Sequence, residues 1–310
     1  MHVILGAGGD IGRLLARDLK NYTDKIRLVA RNPQPVNPDD ELFSANLMDA
    51  GAVSNAVRNA GVAYLVMGLP YDRAVWKKQW PVIMENTINA CIQQNCKLVF
   101  FDNVYLYSKD AISHMTEESA IAPPSKKGRI RAHLIELIRE AMQTKGLKAL
   151  IARSADFYGP GAKNGFLNLL LIDNYRKGKR ANWQSRIDKI HSFTFTPDAA
   201  KATALLGNTD SAYGQVWHLP TLAERLTGKQ FIALVATKMH VKPRYFILTP
   251  FLLALAGLFS KQIKELGEMQ YQNDRDYFFD SSKFNRAFSF TPTSYAAGID
   301  QVLADTLVPA

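Results

Sequence analysis

The stretch Val3-Ile4-Leu5-Gly6-Ala7-Gly8-Gly9-Asp10-Ile11-Gly12 decides how the rest of the chain is read. Three apolar residues of strand type run without a polar break into glycines, and Ile11, Leu14, Leu15 and Leu19 then recur at the spacing of one helix face. Glycine permits a tight turn and lets the backbone come close to a pyrophosphate, whose charge is met by the open N–H groups of a helix N-terminus. A second strand at Ile26–Ala30 completes a βαβ unit, so the triplet Gly6, Gly9 and Gly12 reads as a dinucleotide cradle rather than a bare turn. Gly8, Asp10 and Ile11 belong to the same cradle.

Outward from this unit the alternation continues. Strands are expected near 42–43 and at 62–67, 98–101 and 147–152, with helices at 49–58, up to about 94, and at about 128–144. Short strands separated by helices require crossover connections, hence a parallel sheet covered on both faces. The expected fold is α/β, a Rossmann doubly wound parallel sheet with a smaller, mixed C-terminal substrate lobe. After Tyr158-Gly159-Pro160 the alternation stops, giving a dinucleotide-binding domain over 1–158 with returning pieces at about 191–219. The substrate lobe takes 159–190 and 220–310. The apolar stretch 246–259 is broken by Thr249, Pro250 and Gly257, falls short of the roughly 20 residues a spanning helix needs, and is read as a buried or lobe helix.

Composition excludes several classes. Of 310 residues 47% are hydrophobic and 21% charged, a balance that rules out disorder. The excess of 38 Lys and Arg over 28 Asp and Glu could serve nucleic acid, a membrane surface or anionic small molecules. The bases are scattered apart from Lys126, Lys127, Arg129 and Arg131, and no aromatic-interleaved basic stripe is present. A small-molecule substrate is therefore expected, with no nucleic acid and no membrane partner; a homodimer is left open. Cys91 and Cys96 are too few for a disulfide framework and read as packing residues, which suits a reducing cytoplasm, as does a start without a signal-peptide pattern. The histidines at 2, 114, 133, 191, 218 and 240 show no metal-ligand spacing and are expected in packing or surface roles. No metal is expected. Neither a Gly-x-Ser-x-Gly elbow nor a Gly-x-x-x-x-Gly-Lys loop occurs.

The end of the second strand carries Arg31-Asn32-Pro33 where an acid would bind the ribose hydroxyls. A guanidinium there suits a 2′-phosphate, so NADP is preferred over NAD. The competing reading is a solvated loop arginine paired with Asp39, Asp40 or Glu41. Adenine is expected near Leu47 and Met48, and Gly68, Leu69 and Pro70 near the middle of the cofactor.

Together with the glycine loop, Asn103-Val104-Tyr105-Leu106-Tyr107, the run Arg153-Ser154-Ala155-Asp156-Phe157-Tyr158-Gly159-Pro160, and segments 191–200 and 280–293 resemble the extended short-chain dehydrogenase/reductases of the NAD-dependent epimerase/dehydratase kind. The resemblance implies a Rossmann domain with a smaller substrate lobe, Ala155 beside the cofactor, and Asp156 and Tyr105 beside the substrate. It also implies a Tyr-x-x-x-Lys pair on the helix after the fifth strand, and here the sequence departs. Lys127 stands in the place of the tyrosine and Arg131 in that of the lysine, while Asn103 replaces the helper hydroxyl. Arg131 supplies fixed donors for the nicotinamide ribose but no transferable proton. Lys127, beside a second cation and a charged nicotinamide, is expected to exchange a proton near neutrality, unless it belongs to a solvated, anion-neutralising helix start. Asn103 could orient a carbonyl. Two readings remain: an atypical NAD(P)-dependent oxidoreductase or epimerase/dehydratase-like enzyme acting on a small carbonyl, hydroxyl or sugar-like substrate, and a non-catalytic NAD(P)-binding redox or ligand sensor.

Overall fold

The computed structural model describes residues 1–305, apart from the side chains at 261 and 262. In chain order the strands are β1 (His2–Leu5), β2 (Ile26–Ala30), β3 (Glu41–Ser44), β4 (Val62–Leu65), β5 (Lys97–Asn103), β6 (Ala149–Ser154), β7 (Asp156–Tyr158), β8 (Ala181–Gln184), β9 (Phe193–Phe195), β10 (Val216–His218) and β11 (Tyr245–Leu248). The chain divides into two compact units. The first comprises Met1–Leu106, Lys127–Ser154 and Ala199–Leu219, and the second Tyr107–Lys126, Ala155–Asp198 and the chain from Pro220 onward.

The first unit contains a seven-stranded sheet in the order β10-β6-β5-β4-β1-β2-β3, parallel throughout. This is the expected doubly wound fold. Strands β1 and β4 are buried along their whole length because they are apolar on both faces, as a parallel sheet requires. At the edge, β3 turns Glu41, Leu42 and Ser44 outward. The chain order reverses between the neighbours β1 and β4, and crevices for ligands form outside the carboxyl ends of strands at such a reversal.

Four helices position the residues of interest: α1 (Asp10–Leu19), α2 (Ala50–Val57), α3 (Arg73–Gln93) and α4 (Lys126–Thr144). Helix α1 buries Ile11, Leu15 and Leu19 of the apolar face read from the sequence, together with Ala16, while Leu14 is half-buried. Helix α2 starts where Asp49 accepts the Ala52 N–H, and α3 where Asp72 accepts those of Ala74 and Val75. Strand β6 runs to Ser154 rather than ending at 152, so Arg153 and Ser154 lie within it and are buried.

The second unit holds two small parallel pairs, β7 with β9 and β8 with β11. Its core gathers Tyr158, Leu167, Leu171, Trp183, Phe193, Phe231 and Tyr295. The stretch 246–259, read as a buried or lobe helix, does hold a helix of this unit, but not a buried one. Its first residues form the end of β11; Thr249 then caps a new helix, Pro250–Gly257, with proline in the first turn. Most of its apolar side chains are exposed.

Candidate active site

The cradle lies where β1 meets α1. Gly6 has φ +95°, and a Cβ there would sit 2.3 Å from the Cβ of Met67, in the loop after β4. Only glycine meets both conditions. A Cβ on Gly12 would stand 2.8 Å from the Ala7 Cα and 2.9 Å from the Gly6 carbonyl oxygen, so helix and turn pack as closely as they do because the residue is glycine. Gly9 caps α1 in an extended conformation and brings no side-chain acceptor to the first-turn N–H groups, while Gly8 faces open space. A tight turn, a close helix and an uncapped, uncrowded N-terminus fit a pyrophosphate. Asp10, in the first turn, accepts from Arg13 at 3.3 Å, and Ile11 is buried beneath it. A Cβ on Gly68 would meet nothing within 4 Å. Leu69 is half-buried, and exposed Pro70 accepts from Trp76 Nε1 at 2.9 Å.

Arg31 is exposed beyond the end of β2, and its carbonyl accepts from Ser44 Oγ. The three acids that could have paired with it are engaged elsewhere. Asp39 binds Lys20 at 2.7 Å, Asp40 accepts the N–H groups of Val36 and Asn37, and Glu41 binds Arg27 at 2.9 Å. Leu47 is buried with its carbonyl held by Asn86, and half-buried Met48 donates its N–H to the Asn46 side chain.

Two cations face inward from successive turns of α4. Arg131 Nε donates to Asp102 Oδ1 at 2.8 Å, and Arg153 Nε donates to the other carboxylate oxygen at 3.1 Å. Asp102 and Arg153 are register partners on β5 and β6. The Arg131 guanidinium also lies over the rings of Trp80 and Phe100, 4.8 and 4.7 Å from their centroids. One turn earlier, fully buried Lys127 places Nζ 3.8 Å from the ring centroid of Tyr71 and 6.0 Å from that of Trp76. Trp76 in turn stacks on Tyr105, with rings 16° from parallel. The solvated helix start considered for Lys127 is thus replaced by a buried ammonium on aromatic faces. Asn103, at the end of β5, accepts the Tyr105 N–H through Oδ1 at 3.1 Å, which fixes the turn between them.

Ala155 and Asp156 belong to the second unit. Ala155 donates its N–H to Thr194 Oγ1. Asp156 Oδ2 lies 2.9 Å from His191 Nε2, and the His191 ring stacks on Tyr277 at 4.2 Å and 2°. Nearby, burial pushes the Tyr271 phenol up to about 12, against an opposing hydrogen bond to Ser125. His191 is a packing residue, as expected, but one that also orients a candidate substrate contact. The sequence reading missed Tyr71, Trp76, Asp102 and Arg153. The last two carried a signal, since a charged residue ending an apolar strand in a buried sheet needs a partner.

A glycine turn at the order reversal of a seven-stranded parallel sheet defines a protein of the dinucleotide-binding, Rossmann class. More narrowly, the chain belongs to the NAD dependent epimerase/dehydratase family, whose model matches residues 2–218. No curated protein matches it in sequence. Among solved structures it is similar to a dTDP-glucose 4,6-dehydratase from Streptomyces venezuelae with NAD and TYD bound, at 16% identity over 98% of this chain and 96% of that one, with a TM-score of 0.81. A UDP-glucose 4-epimerase from Thermus thermophilus in complex with NAD matches at 17% identity, 99% and 100% coverage and a TM-score of 0.79. A UDP-N-acetylglucosamine 4-epimerase from Bacillus cereus gives 14%, 100% and 98%, and 0.78. At these identities the likeness is one of fold.

Proposed function

We propose that the chain is an NADP-dependent enzyme of the epimerase/dehydratase kind, acting on a small carbonyl, hydroxyl or sugar-like substrate, in which Lys127 takes over the task of the family's tyrosine. The observation that carries this reading is the buried Lys127 ammonium on the Tyr71 ring, one helical turn before Arg131. The backbone of Gly6, Gly8, Gly9, Asp10, Ile11 and Gly12 would hold the pyrophosphate, Leu47 and Met48 the adenine, and Gly68, Leu69, Pro70 and Ala155 the remainder of the cofactor. Arg31, with its three neighbouring acids engaged elsewhere, would take the 2′-phosphate. Bound there, the coenzyme supplies hydride transfer.

The chain's own residues do the rest. Lys127 donates a hydrogen bond, and in the forward direction a proton, to the substrate oxygen on which negative charge develops. Asn103 orients that oxygen through its side-chain amide. Arg131, with Nε on Asp102, holds the face of α4 on which Lys127 stands, so it positions rather than exchanges protons. Tyr105 and Asp156 contact the substrate, Asp156 being steadied by His191.

The test is NADPH oxidation with aldehydes and ketones, and product analysis for redox-neutral conversion of nucleotide sugars with catalytic NADP, each repeated with Lys127→Met. Turnover should fall by about 10²-fold or more, the usual worth of a positioned acid, with the dissociation constant for NADPH unchanged. Undiminished turnover would remove Lys127 from proton transfer. Arg31→Asp should shift the ratio of NADPH to NADH dissociation constants by at least about tenfold, as expected for loss of a charge-assisted pair. The absence of a phenol from the Lys127 position favours a second reading, a non-catalytic sensor. Dinucleotide binding without turnover of any of these compounds would select it.

A further inference from the structure

The second unit displays an apolar face that the catalytic reading does not use. In the helix Pro250–Gly257 and the turn after it, Leu253 and Gly257 point inward. A Cβ on Gly257 would lie 3.1 Å from the Lys264 Cα, so the following helix, Lys261–Gly267, packs closely behind. The opposite side is left to solvent: Phe251 is 75% exposed, Leu255 49%, Leu258 77% and Phe259 88%. Phe251 and Leu255 lie one turn apart on the helix, and Leu258 and Phe259 follow in the turn that ends it. Phe246 and Tyr245, on the preceding strand, are exposed as well. A folded protein rarely leaves so many large apolar side chains together in water without a partner for them.

The surrounding charge identifies the partner. From 241 to 264, up to Glu265, the sequence contains no Asp or Glu, and the same segment exposes Lys242, Arg244 and Lys264. A second copy of the chain, paired through the same patch, would bring these bases against one another with no acid of the segment to offset them. No helix among the described residues is long and apolar enough to cross a membrane. An exposed apolar helix in a segment whose charged residues are all basic is instead suited to an interface, with side chains among the acyl chains and cations among anionic headgroups. We infer that the face formed by Phe251, Leu255, Leu258 and Phe259 docks the protein reversibly on an anionic lipid surface. This departs from the sequence expectation of no membrane partner, which rested on scattered bases and on 246–259 being too short to span a bilayer.

The experiment is flotation of the full chain with vesicles of phosphatidylcholine alone and of phosphatidylcholine mixed with phosphatidylglycerol. Binding should be at least about tenfold stronger to the anionic vesicles and should weaken with salt. The triple variant Phe251→Ser, Leu258→Ser, Phe259→Ser should lose it, with circular dichroism and NADPH binding unchanged. A second variant, Lys242→Glu, Arg244→Glu, Lys264→Glu, should abolish the preference for anionic vesicles by reversing the charge. Equal binding to both vesicle types, no binding to either, or retention by the serine variant would overturn the inference. So would a dimer in sedimentation velocity that the serine variant dissolves, since the occupant would then be a second copy.

Discussion

One turn of α4 separates two buried cations, one set against a carboxylate and the other against the face of a tyrosine. At Arg131 the guanidinium meets a carboxylate, and Asp102 is shared with Arg153 so that both its oxygens carry directed hydrogen bonds. At Lys127 the ammonium rests on the face of Tyr71. A carboxylate fixes its donors in direction and is lost only at the expense of an uncompensated buried charge. A ring quadrupole attracts a cation without dictating where its N–H bonds point. The first arrangement suits a residue that must stay still; the ring contact adds an attraction at Lys127 that sets no direction of its own. The carboxylate at Arg131 and the aromatic faces at Lys127 are the environments on which the separate roles proposed for the two residues rest.

The sharpest way to break the contrast is to delete the carboxylate. Asp102→Ala leaves the guanidinium groups of Arg131 and Arg153 buried without the carboxylate they share, and should cost about 3–5 kcal/mol of stability, the range for removing one partner of a buried pair. Urea denaturation measures this, and a loss below about 1 kcal/mol would show that the arginines find other compensation. Arg131→Met leaves Asp102 paired with Arg153 and should cost less, about 2 kcal/mol. Lys127→Met keeps the apolar stem and the contact with the rings, so its stability should change by no more than about 1 kcal/mol. If Lys127→Met proved as destabilising as Asp102→Ala, the lysine would be an architectural cation too, and the division of roles would fail.

How much of this was legible in the sequence depends on how local each cause is. Gly6 and Gly12 could be read because their reasons, a left-handed turn and a close helix, lie within ten residues of chain. The parallel sheet followed from alternation alone. The triad did not, because Asp102, Arg131 and Arg153 come from three elements and meet only through strand register, although Asp102 ending an apolar run already called for a partner. Segment 246–259 could be read as a helix but not for its exposure, since hydropathy averages over a helix and does not report which face is covered. Arg31 could be placed by counting from Gly12, but the engagement of Asp39, Asp40 and Glu41 with other groups needed coordinates. The pairing of Asp156 with His191 was hidden for the same reason as the triad.

A third way of burying a titratable group, by neutralising it, gives the smallest effect and the most specific signature. Burial lowers His2 from 6.5 to about 4, helped by the N-terminus and Lys97, while burial raises Asp18 from 3.8 to about 6 against Lys201 and Arg17. As pH falls from 6.5 to 4 the unfolded chain protonates His2 and the folded chain does not, so this group's stabilisation is lost across that window. Asp18 works in the opposite sense: the folded chain takes up its proton near 6 and the unfolded chain only near 3.8, so stability is gained as pH falls through the same range. Either contribution amounts to about 2 kcal/mol at most once solvent screening is allowed for, and in the wild type the two oppose each other. Denaturant midpoints measured between pH 4 and 6.5 should accordingly show little slope from this pair. His2→Gln should then gain stability on acidification and Asp18→Asn should lose it, and slopes of the same sign in both variants would mean that neutralisation is not how the fold accommodates them.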